Sequence, residues 1–179
     1  LIFRDNNSSA AYARPPTLVF SSGNQTTGTP STDPSSVATG DFNGDGHLDL
    51  VITNRRGDNV SILLANGDGS FSAPTTFATG DNPYFAEVAD FNRDGNQDLA
   101  IVNSHSNNVS ILLGNGDGSF GTATNFSAGN GPRSLSLGDF NADGYLDLAT
   151  ANLDGDNVSI LLGAGNGSFS GPTLFTVGN

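Results

Sequence analysis

The sequence lacks several residue types, and each absence excludes a class of protein. It has no cysteine, so disulfides and zinc sites built from thiolates are excluded. It has no lysine, and its six arginines are outnumbered by 18 acidic residues, which gives a net charge of −12. Because nucleic-acid binding needs a basic surface, we expect no nucleic-acid partner. No apolar run approaches the length of a membrane-spanning helix, so we also expect no membrane insertion.

The acidic residues are concentrated in one repeated motif. The pattern Asp-Phe-Asn-x-Asp-Gly-x-x-Asp begins at Asp41, Asp90 and Asp139, so successive copies are 49 residues apart. Nine of the 17 aspartates lie in these copies, and Glu87 is the one glutamate of the chain. Oxygen-bearing side chains at alternate positions around a glycine turn are typical of loops that bind a hard cation. Because calcium accepts about six to eight oxygens at flexible angles, the motif predicts three Ca²⁺ sites.

Each loop is expected to bind its ion through five residues. Side chains of the first, third, fifth and ninth residues supply oxygens, together with the backbone carbonyl of the seventh. An EF-hand is excluded because its twelfth position, which carries a carboxylate, is here Ile52, Ile101 or Thr150. The predicted ligands are Asp41, Asn43, Asp45, His47 and Asp49; Asp90, Asn92, Asp94, Asn96 and Asp98; and Asp139, Asn141, Asp143, Tyr145 and Asp147.

A simpler interpretation is that Asp, Asn and Gly cluster because turns favour them. Three copies in fixed register, with every ligand type kept, argue against that interpretation for the nine-residue loops. It does suit the Asn-Gly-Asp-Gly runs at Asn66 and Asn115, which lie between apolar strand patterns and predict hairpin turns. The third copy, at Ala164, has no acidic residue, which favours a structural role for these turns.

The 49-residue unit is β-rich and contains no long segment with helical periodicity. In the second unit the predicted strands are Tyr84–Asp90, Asp98–Asn103, Val109–Gly114 and Phe120–Ala128. The run Asn-Val-Ser-Ile-Leu-Leu is apolar on both faces, so its strand must lie between neighbouring sheets. We therefore predict an all-β fold, a β-propeller of four-stranded antiparallel blades, with about three and a half blades in this chain.

The predicted domain organisation follows the repeat. Residues 1–33 form a partial blade of two outer strands with a Ser/Thr/Pro-rich loop, and whole blades occupy residues 34–80, 81–129 and 130–179. The chain begins at Leu1 rather than at a methionine, so we expect a processed product or an excised piece of a larger protein.

Two recurring phrases carry a resemblance to a known family. Asp-Phe-Asn-Gly-Asp-Gly-His-Leu-Asp-Leu and Asn-Val-Ser-Ile-Leu-Leu-Ala-Asn-Gly-Asp-Gly-Ser-Phe resemble FG-GAP repeats of the bacterial VCBS type, which are similar to the blades of the integrin α-subunit propeller and of certain fungal lectins. The resemblance implies a seven-bladed propeller with calcium in the loops between first and second strands. It also implies ligand sites on the opposite face or, as in the lectins, between blades. Because this chain has fewer blades, we expect a fragment, an open array, or self-association that completes a propeller.

The repeats stop agreeing in the turns that the fold places opposite the calcium loops. Residue types that anchor interfaces and stack on sugars occur there, although solvated loop tips are the simpler interpretation. The candidate ligand-binding residues are Arg56, Tyr84, Phe85, His105, Arg133 and Asp154.

The sequence favours a binding protein over an enzyme. No serine has a consistent histidine partner, and the clustered carboxylates are already assigned to calcium, so we predict no catalysis. Our leading hypothesis is a non-catalytic, calcium-binding module for extracellular protein–protein interaction or adhesion. The alternatives are a carbohydrate-binding lectin, or a structural spacer within a surface protein. Because calcium is about millimolar outside cells and loops of this type bind it weakly, we expect a secreted or cell-surface location.

Overall fold

The computed structural model describes residues 33–177. Their strands form three four-stranded antiparallel sheets, each a meander in which consecutive strands pair. The strands are β1 (Pro34–Gly40), β2 (Asp49–Asn54), β3 (Asn59–Leu63), β4 (Thr75–Ala78), β5 (Pro83–Ala89), β6 (Asp98–Asn103), β7 (Asn108–Leu112), β8 (Thr124–Ser127), β9 (Pro132–Gly138), β10 (Asp147–Asn152), β11 (Asn157–Leu161) and β12 (Thr173–Thr176). We call β1–β4 blade 1, β5–β8 blade 2 and β9–β12 blade 3.

The predicted all-β architecture is confirmed, and the three sheets stack as propeller-like blades that do not close into a ring. Strand β5 contacts both β1 and β9, so the first strands of the three blades lie side by side. One turn of 3-10 helix, Leu153–Gly155, is the single helical element of residues 33–177. No helix in this part of the chain is long and apolar enough to cross a membrane. Apart from Asp33, the predicted partial blade lies outside the described residues.

Blade 2 is buried on both faces, as the apolar repeat predicts. Along β6, Leu99 and Ile101 pack in a core shared with blade 1, whereas Ala100 and Val102 pack in a second core shared with blade 3. All six residues of β6 are buried, because alternate side chains point to opposite faces and both faces are covered.

The fourth strand of blade 2 is shorter than predicted. It begins at Thr124, whereas Phe120 forms an isolated antiparallel bridge with Gly114 that closes the hairpin turn. The same bridge and the same late start occur in blade 1, at Phe71 and Thr75, so they belong to the repeat. The side chain of Phe120 is only 7% exposed. It packs edge-on between Phe42 and Phe77 of blade 1, with 5.4 Å between ring centroids in both pairs.

The same aromatic contact recurs between blades 2 and 3. Phe169 lies edge-on between Phe91 and Phe126, with centroid distances of 5.8 Å and 5.5 Å. We call Phe120 and Phe169 the aromatic wedges, because each is inserted into the preceding blade. Edge-to-face pairs contribute about 0.5–1.5 kcal/mol each beyond the burial of their area. The wedges therefore fix how successive blades are stacked.

Candidate functional site

The three candidate metal loops connect the first and second strands of each blade and share one hydrogen-bond pattern. In the first loop, the carboxylate of Asp41 accepts hydrogen bonds from the backbone N–H groups of Asp45 (3.1 Å) and Gly46 (2.9 Å). The carboxylate of Asp45 accepts one from the N–H of His47 (2.8 Å). These bonds curl the loop around its own acidic side chains. The equivalent pairs are Asp90–Gly95, Asp94–Asn96, Asp139–Gly144 and Asp143–Tyr145.

The sixth residue of each loop has a left-handed backbone, which explains its glycine. The φ angles of Gly46, Gly95 and Gly144 are 84°, 88° and 83°. A Cβ added at Gly46 or Gly95 would meet nothing within 4 Å, so backbone conformation rather than space requires glycine there. The backbone of the fourth loop residue is left-handed too, at Gly44, Arg93 and Ala142. The sequence does not indicate this conformation, because the residue type at this position differs between the loops.

The ninth residue of each loop has a structural role that sequence reasoning missed. Asp98 is fully buried, and its carboxylate accepts hydrogen bonds from the N–H groups of Phe91 and Gly114, both at 2.8 Å. It thereby ties the loop to the hairpin that follows the third strand. In each blade the ninth acid and the hairpin residue that donates to it are 16 positions apart, and this constant spacing was the feature of the sequence that could have indicated the contact. The equivalent acids and partners are Asp49 with Phe42 and Ala65, and Asp147 with Phe140 and Gly163.

The seventh residue turns its side chain towards the hairpin. A Cβ added at Gly67 would lie 2.6 Å from Nε2 of His47, so the imidazole occupies the space that glycine leaves open. The side chains of Asn96 and Tyr145 lie against the equivalent hairpin glycines, Gly116 and Gly165. The backbone carbonyl is therefore the group that the seventh residue keeps for the predicted ion.

The donor set of these loops fits calcium in its chemistry. Within residues 33–177 no three His, Cys, Asp or Glu side chains converge as a metal-binding group. The loop carboxylates accept hydrogen bonds from backbone N–H groups. Burial raises the pKa of the Asp98 carboxyl, the N–H donors of Gly114 and Phe91 oppose this rise, and the charges of Asp94 and Asp90 add to it. A cation bound by these carboxylates would offset the repulsion between their negative charges. Calcium binding itself stays a prediction.

One contact links neighbouring loops. The guanidinium of Arg93, in the loop of blade 2, lies 4.2 Å from the ring centroid of Tyr145 in the loop of blade 3. Its Nη2 also donates a hydrogen bond to the carbonyl of Gly144. The first loop has Gly44 where the second has Arg93, so this contact has no counterpart between blades 1 and 2.

At the opposite end of the blades, the structure gathers a cationic and aromatic cluster. The ring of Tyr84, on β5, lies between the guanidinium groups of Arg55 (5.6 Å) and Arg133 (5.1 Å). We call these three residues the Tyr84 cluster; they come from three different blades. Arg55 also bonds Asp33, with 2.6 Å between Nη2 and Oδ2, and this hydrogen bond lowers the pKa of the Asp33 carboxyl.

The other candidate ligand residues are placed differently. Arg56 is exposed and lies 3.7 Å from the carboxylate of Asp33. Phe85 is partly buried and, like Tyr84, packs against the second core. His105 and Asp154 are exposed, and no hydrogen bond or ring contact within residues 33–177 joins them to the Tyr84 cluster. The structure therefore brings two of the candidate ligand residues, Tyr84 and Arg133, into contact. It places Arg55, which was not among the candidates, in the same cluster; the adjacent pair Arg55-Arg56 was the feature of the sequence that could have indicated it.

A cavity of about 330 Å³ lies beside Arg133 on the outer side of blade 3. Its walls combine apolar and amide or carboxylate groups: Ala151, Asn152, Leu153, Asp156, Asn157, Val158 and Val177.

Repeat units of a known family cover most of the chain. FG-GAP-like repeats match residues 1–52, 41–101 and 90–150, and an FG-GAP repeat matches residues 131–170. The chain belongs to the FG-GAP repeat family. Membership confirms the resemblance carried by the loop and strand motifs, and it indicates a repeat module for protein interaction. A comparison with curated protein sequences finds no match.

Solved structures with the same blade arrangement include three enzymes. Virginiamycin B lyase from Staphylococcus aureus is 16% identical over 85% of this chain and 44% of its own, with a TM-score of 0.56. The periplasmic gluconolactonase of Pseudomonas aeruginosa is 16% identical over 84% and 41%, with a TM-score of 0.62. A streptogramin B lyase is 17% identical over 85% and 43%, with a TM-score of 0.58. The FG-GAP chain thus spans less than half of each, and this likeness concerns the fold alone.

Proposed function

We propose that this FG-GAP chain is a non-catalytic, calcium-stabilised module that binds an extracellular protein partner through the face opposite its metal loops. The observation that carries the proposal is the contrast between the two ends of the blades. All three loops keep the same donors and the same hydrogen bonds. The Tyr84 cluster occurs once, so the repeat fold does not require its residue types.

Calcium would act on stability rather than on chemistry. Each loop joins two strands, and its ninth residue is bonded to the next hairpin, so an ion bound there would hold three segments of one blade. Three ions would also change the formal charge of the chain from −12 to about −6, which reduces self-repulsion. Titration calorimetry with CaCl₂ tests this role. We expect heat from three ions per chain, and no binding at millimolar calcium would refute it.

The Tyr84 cluster has the chemistry of a protein-binding site. Tyrosine and arginine are the residue types that most often dominate binding energy at interfaces. Three of the four arginines in residues 33–177 lie at this end of the blades: Arg55, Arg56 and Arg133. Asp33 is paired with Arg55 and Arg56, so this end presents charges of both signs. Such a surface favours a partner whose contact patch carries the complementary arrangement of charges.

A carbohydrate ligand is the second candidate, and the cavity beside Arg133 supports it. Its lining includes the amides of Asn152 and Asn157 and the carboxylate of Asp156, which suit hydroxyl groups. The proposed location, secreted or at the cell surface, suits either ligand, because about millimolar calcium is available there.

One pair of screens separates these candidates. The wild-type chain and a Tyr84→Ala/Arg133→Ala variant are applied, with calcium, to a panel of extracellular protein domains and to a glycan array. We expect a protein hit that the variant loses by about tenfold or more, as for interface anchors. Binding to glycans alone would favour the lectin. Binding that survives the double substitution would exclude this face, and no binding to either panel would favour a structural spacer.

A further inference from the structure

The outer face of blade 3 carries an aromatic slot that has no wedge. Phe140 and Phe175 are 51% and 53% exposed. They stand one repeat after Phe91 and Phe126, the pair that holds the wedge Phe169. We call Phe140 and Phe175 the open slot. The two equivalent rings of blade 2 are covered by the wedge of the next blade, whereas the rings of the open slot are exposed.

The outer face of blade 1 carries the matching wedge. Phe71 stands one repeat before Phe120 and two repeats before Phe169, and it closes its hairpin by the same bridge, to Ala65. Phe71 is half-buried, whereas Phe120 is 7% exposed inside blade 1. Within residues 33–177 there is thus one wedge without a slot and one slot without a wedge.

A second pair of apolar groups has the same relation. Val37 on β1 is 63% exposed, while its equivalents Ala86 and Leu135 are 2% and 4% exposed. Leu135 lies in the same core as Val102 and Val109 of the preceding blade. On blade 3 the equivalents of these two valines are Ala151 and Val158, which line the cavity of about 330 Å³. The cavity is therefore where an inner-strand residue of a following blade would pack.

Backbone groups on the outer faces of blades 1 and 3 also correspond to groups that are bonded between neighbouring blades. Inside the array, the N–H of Gly118 donates a hydrogen bond to the carbonyl of Phe42 in the preceding blade, at 2.8 Å. The hairpin of blade 3 makes the equivalent bond to the loop of blade 2, at 3.1 Å. The equivalent donor on blade 1 is Gly69 and the equivalent acceptor on blade 3 is Phe140, so the two outer faces offer the two halves of this bond.

We propose that the outer face of blade 3 binds the outer face of blade 1 of a second copy of the chain, head to tail. In this contact Phe71 enters the open slot and Val37 enters the cavity. A second copy is the occupant because an interface made twice within residues 33–177 leaves one of its halves on the outer face of blade 1 and the other on the outer face of blade 3. Exposed apolar side chains that are grouped on one face often mark an interaction site in soluble proteins. Since the contact joins two different surfaces, it forms either a ring or a longer array.

The test uses two single substitutions and a rim control. Val37→Asp places a charge on the blade 1 face, and Phe175→Asp places one in the open slot. Both side chains are mostly exposed, so the fold should tolerate the change. Thr124→Asp, at an exposed position on the rim strand β8, adds the same charge away from both faces. Molar mass is measured by light scattering and sedimentation velocity up to about 100 µM, since interfaces range down to about micromolar affinity.

We expect the wild type and Thr124→Asp to associate in a concentration-dependent way, and each face variant alone to be monomeric. An equimolar mixture of the two face variants should form a dimer and stop there, because one intact face of each kind remains. The dimer also shows that both variants are folded.

Three results would overturn the proposal. One is a monomeric wild type at the highest concentration, which would assign the blade 1 face to residues 1–32 or to another protein. Another is a mixture that stays monomeric while Thr124→Asp associates. The third is unchanged association of both face variants, which would place the self-contact elsewhere.

Discussion

The loop end of the blades and the opposite end are built from the same repeat but tolerate different amounts of change. At the loop end, each buried ninth acid accepts the same two backbone N–H groups in all three blades. At the opposite end, the three blades contribute an arginine, a tyrosine and a second arginine to one cluster. The ninth acids, whose hydrogen bonds hold the fold, are the same in all three repeats, whereas residues in the exposed turns differ between repeats.

Removing a buried ninth acid should produce the largest effect. Asp98→Ala leaves two buried N–H groups without acceptors, and each such loss costs about 1–3 kcal/mol, so we expect roughly 2–5 kcal/mol less stability. The control is Asp117→Ala at an exposed hairpin tip, where less than about 1 kcal/mol should be lost. Urea unfolding in chelator measures both without a contribution from calcium. Equal losses in the two variants would contradict the structural role of Asp98.

Counted per site, removing calcium should have the next largest effect, and it should act at the loop end alone. A site occupied at a hundredfold excess over its Kd contributes about 2.7 kcal/mol. For a chain of this size that corresponds to a fall of roughly 5–10 °C in melting temperature for each such site. Calorimetric melts in calcium, in magnesium and in chelator provide the measurement. A melting temperature that is the same in calcium and in chelator would count against structural calcium.

Arg93→Ala tests whether the loop end is uniform between blades. The substitution removes a contact with the Tyr145 ring and a hydrogen bond to Gly144, and we expect a loss of about 1–2 kcal/mol. The control is Arg56→Ala, whose guanidinium lies 3.7 Å from Asp33 and is mostly exposed. Urea unfolding compares the two, and a larger loss for Arg56→Ala would reverse the order that we expect.

The smallest effect concerns Glu87, on the inner strand of blade 2 between the two ends. Burial raises the pKa of its carboxyl. The folded state then holds the proton more tightly than the unfolded state, so stability falls as pH rises through the interval between the ordinary and the raised value. We expect Glu87→Gln to raise the melting temperature at pH 7 by less than about 2 °C. Below the ordinary pKa the difference should vanish, and a lower melting temperature at pH 7 would show a favourable role for the charge.

Much of the fold could be predicted because the repeat makes each local signal appear three times. The apolar run of β7 predicted a strand buried on both faces, and its residues Val109 and Ile111 are indeed in one core while Leu112 is in the other. The loop motif predicted the left-handed glycine. These features depend on residues within a few positions of one another, so a linear pattern contains them.

What could not be predicted depends on how neighbouring blades are oriented. Arg93 and Gly144 are 51 residues apart, and no pattern in the sequence states that their loops touch. The sequence also does not show that Tyr84 and Phe85, both candidate ligand residues, pack against the second core. The edge-on contacts of Phe120 with Phe42 and Phe77 likewise depend on the position of the preceding blade.

The aromatic wedges have a consequence for how such chains can change in evolution. Every blade presents a wedge on one side and a slot on the other, at the same place in the 49-residue repeat. A recombination event that adds or deletes one whole repeat therefore joins a wedge to a slot whichever repeat it copies. Stability in such arrays is close to a sum of unit and nearest-neighbour terms. The chain can thus gain or lose whole repeats, and the two blades that become neighbours can still form the wedge and slot contact.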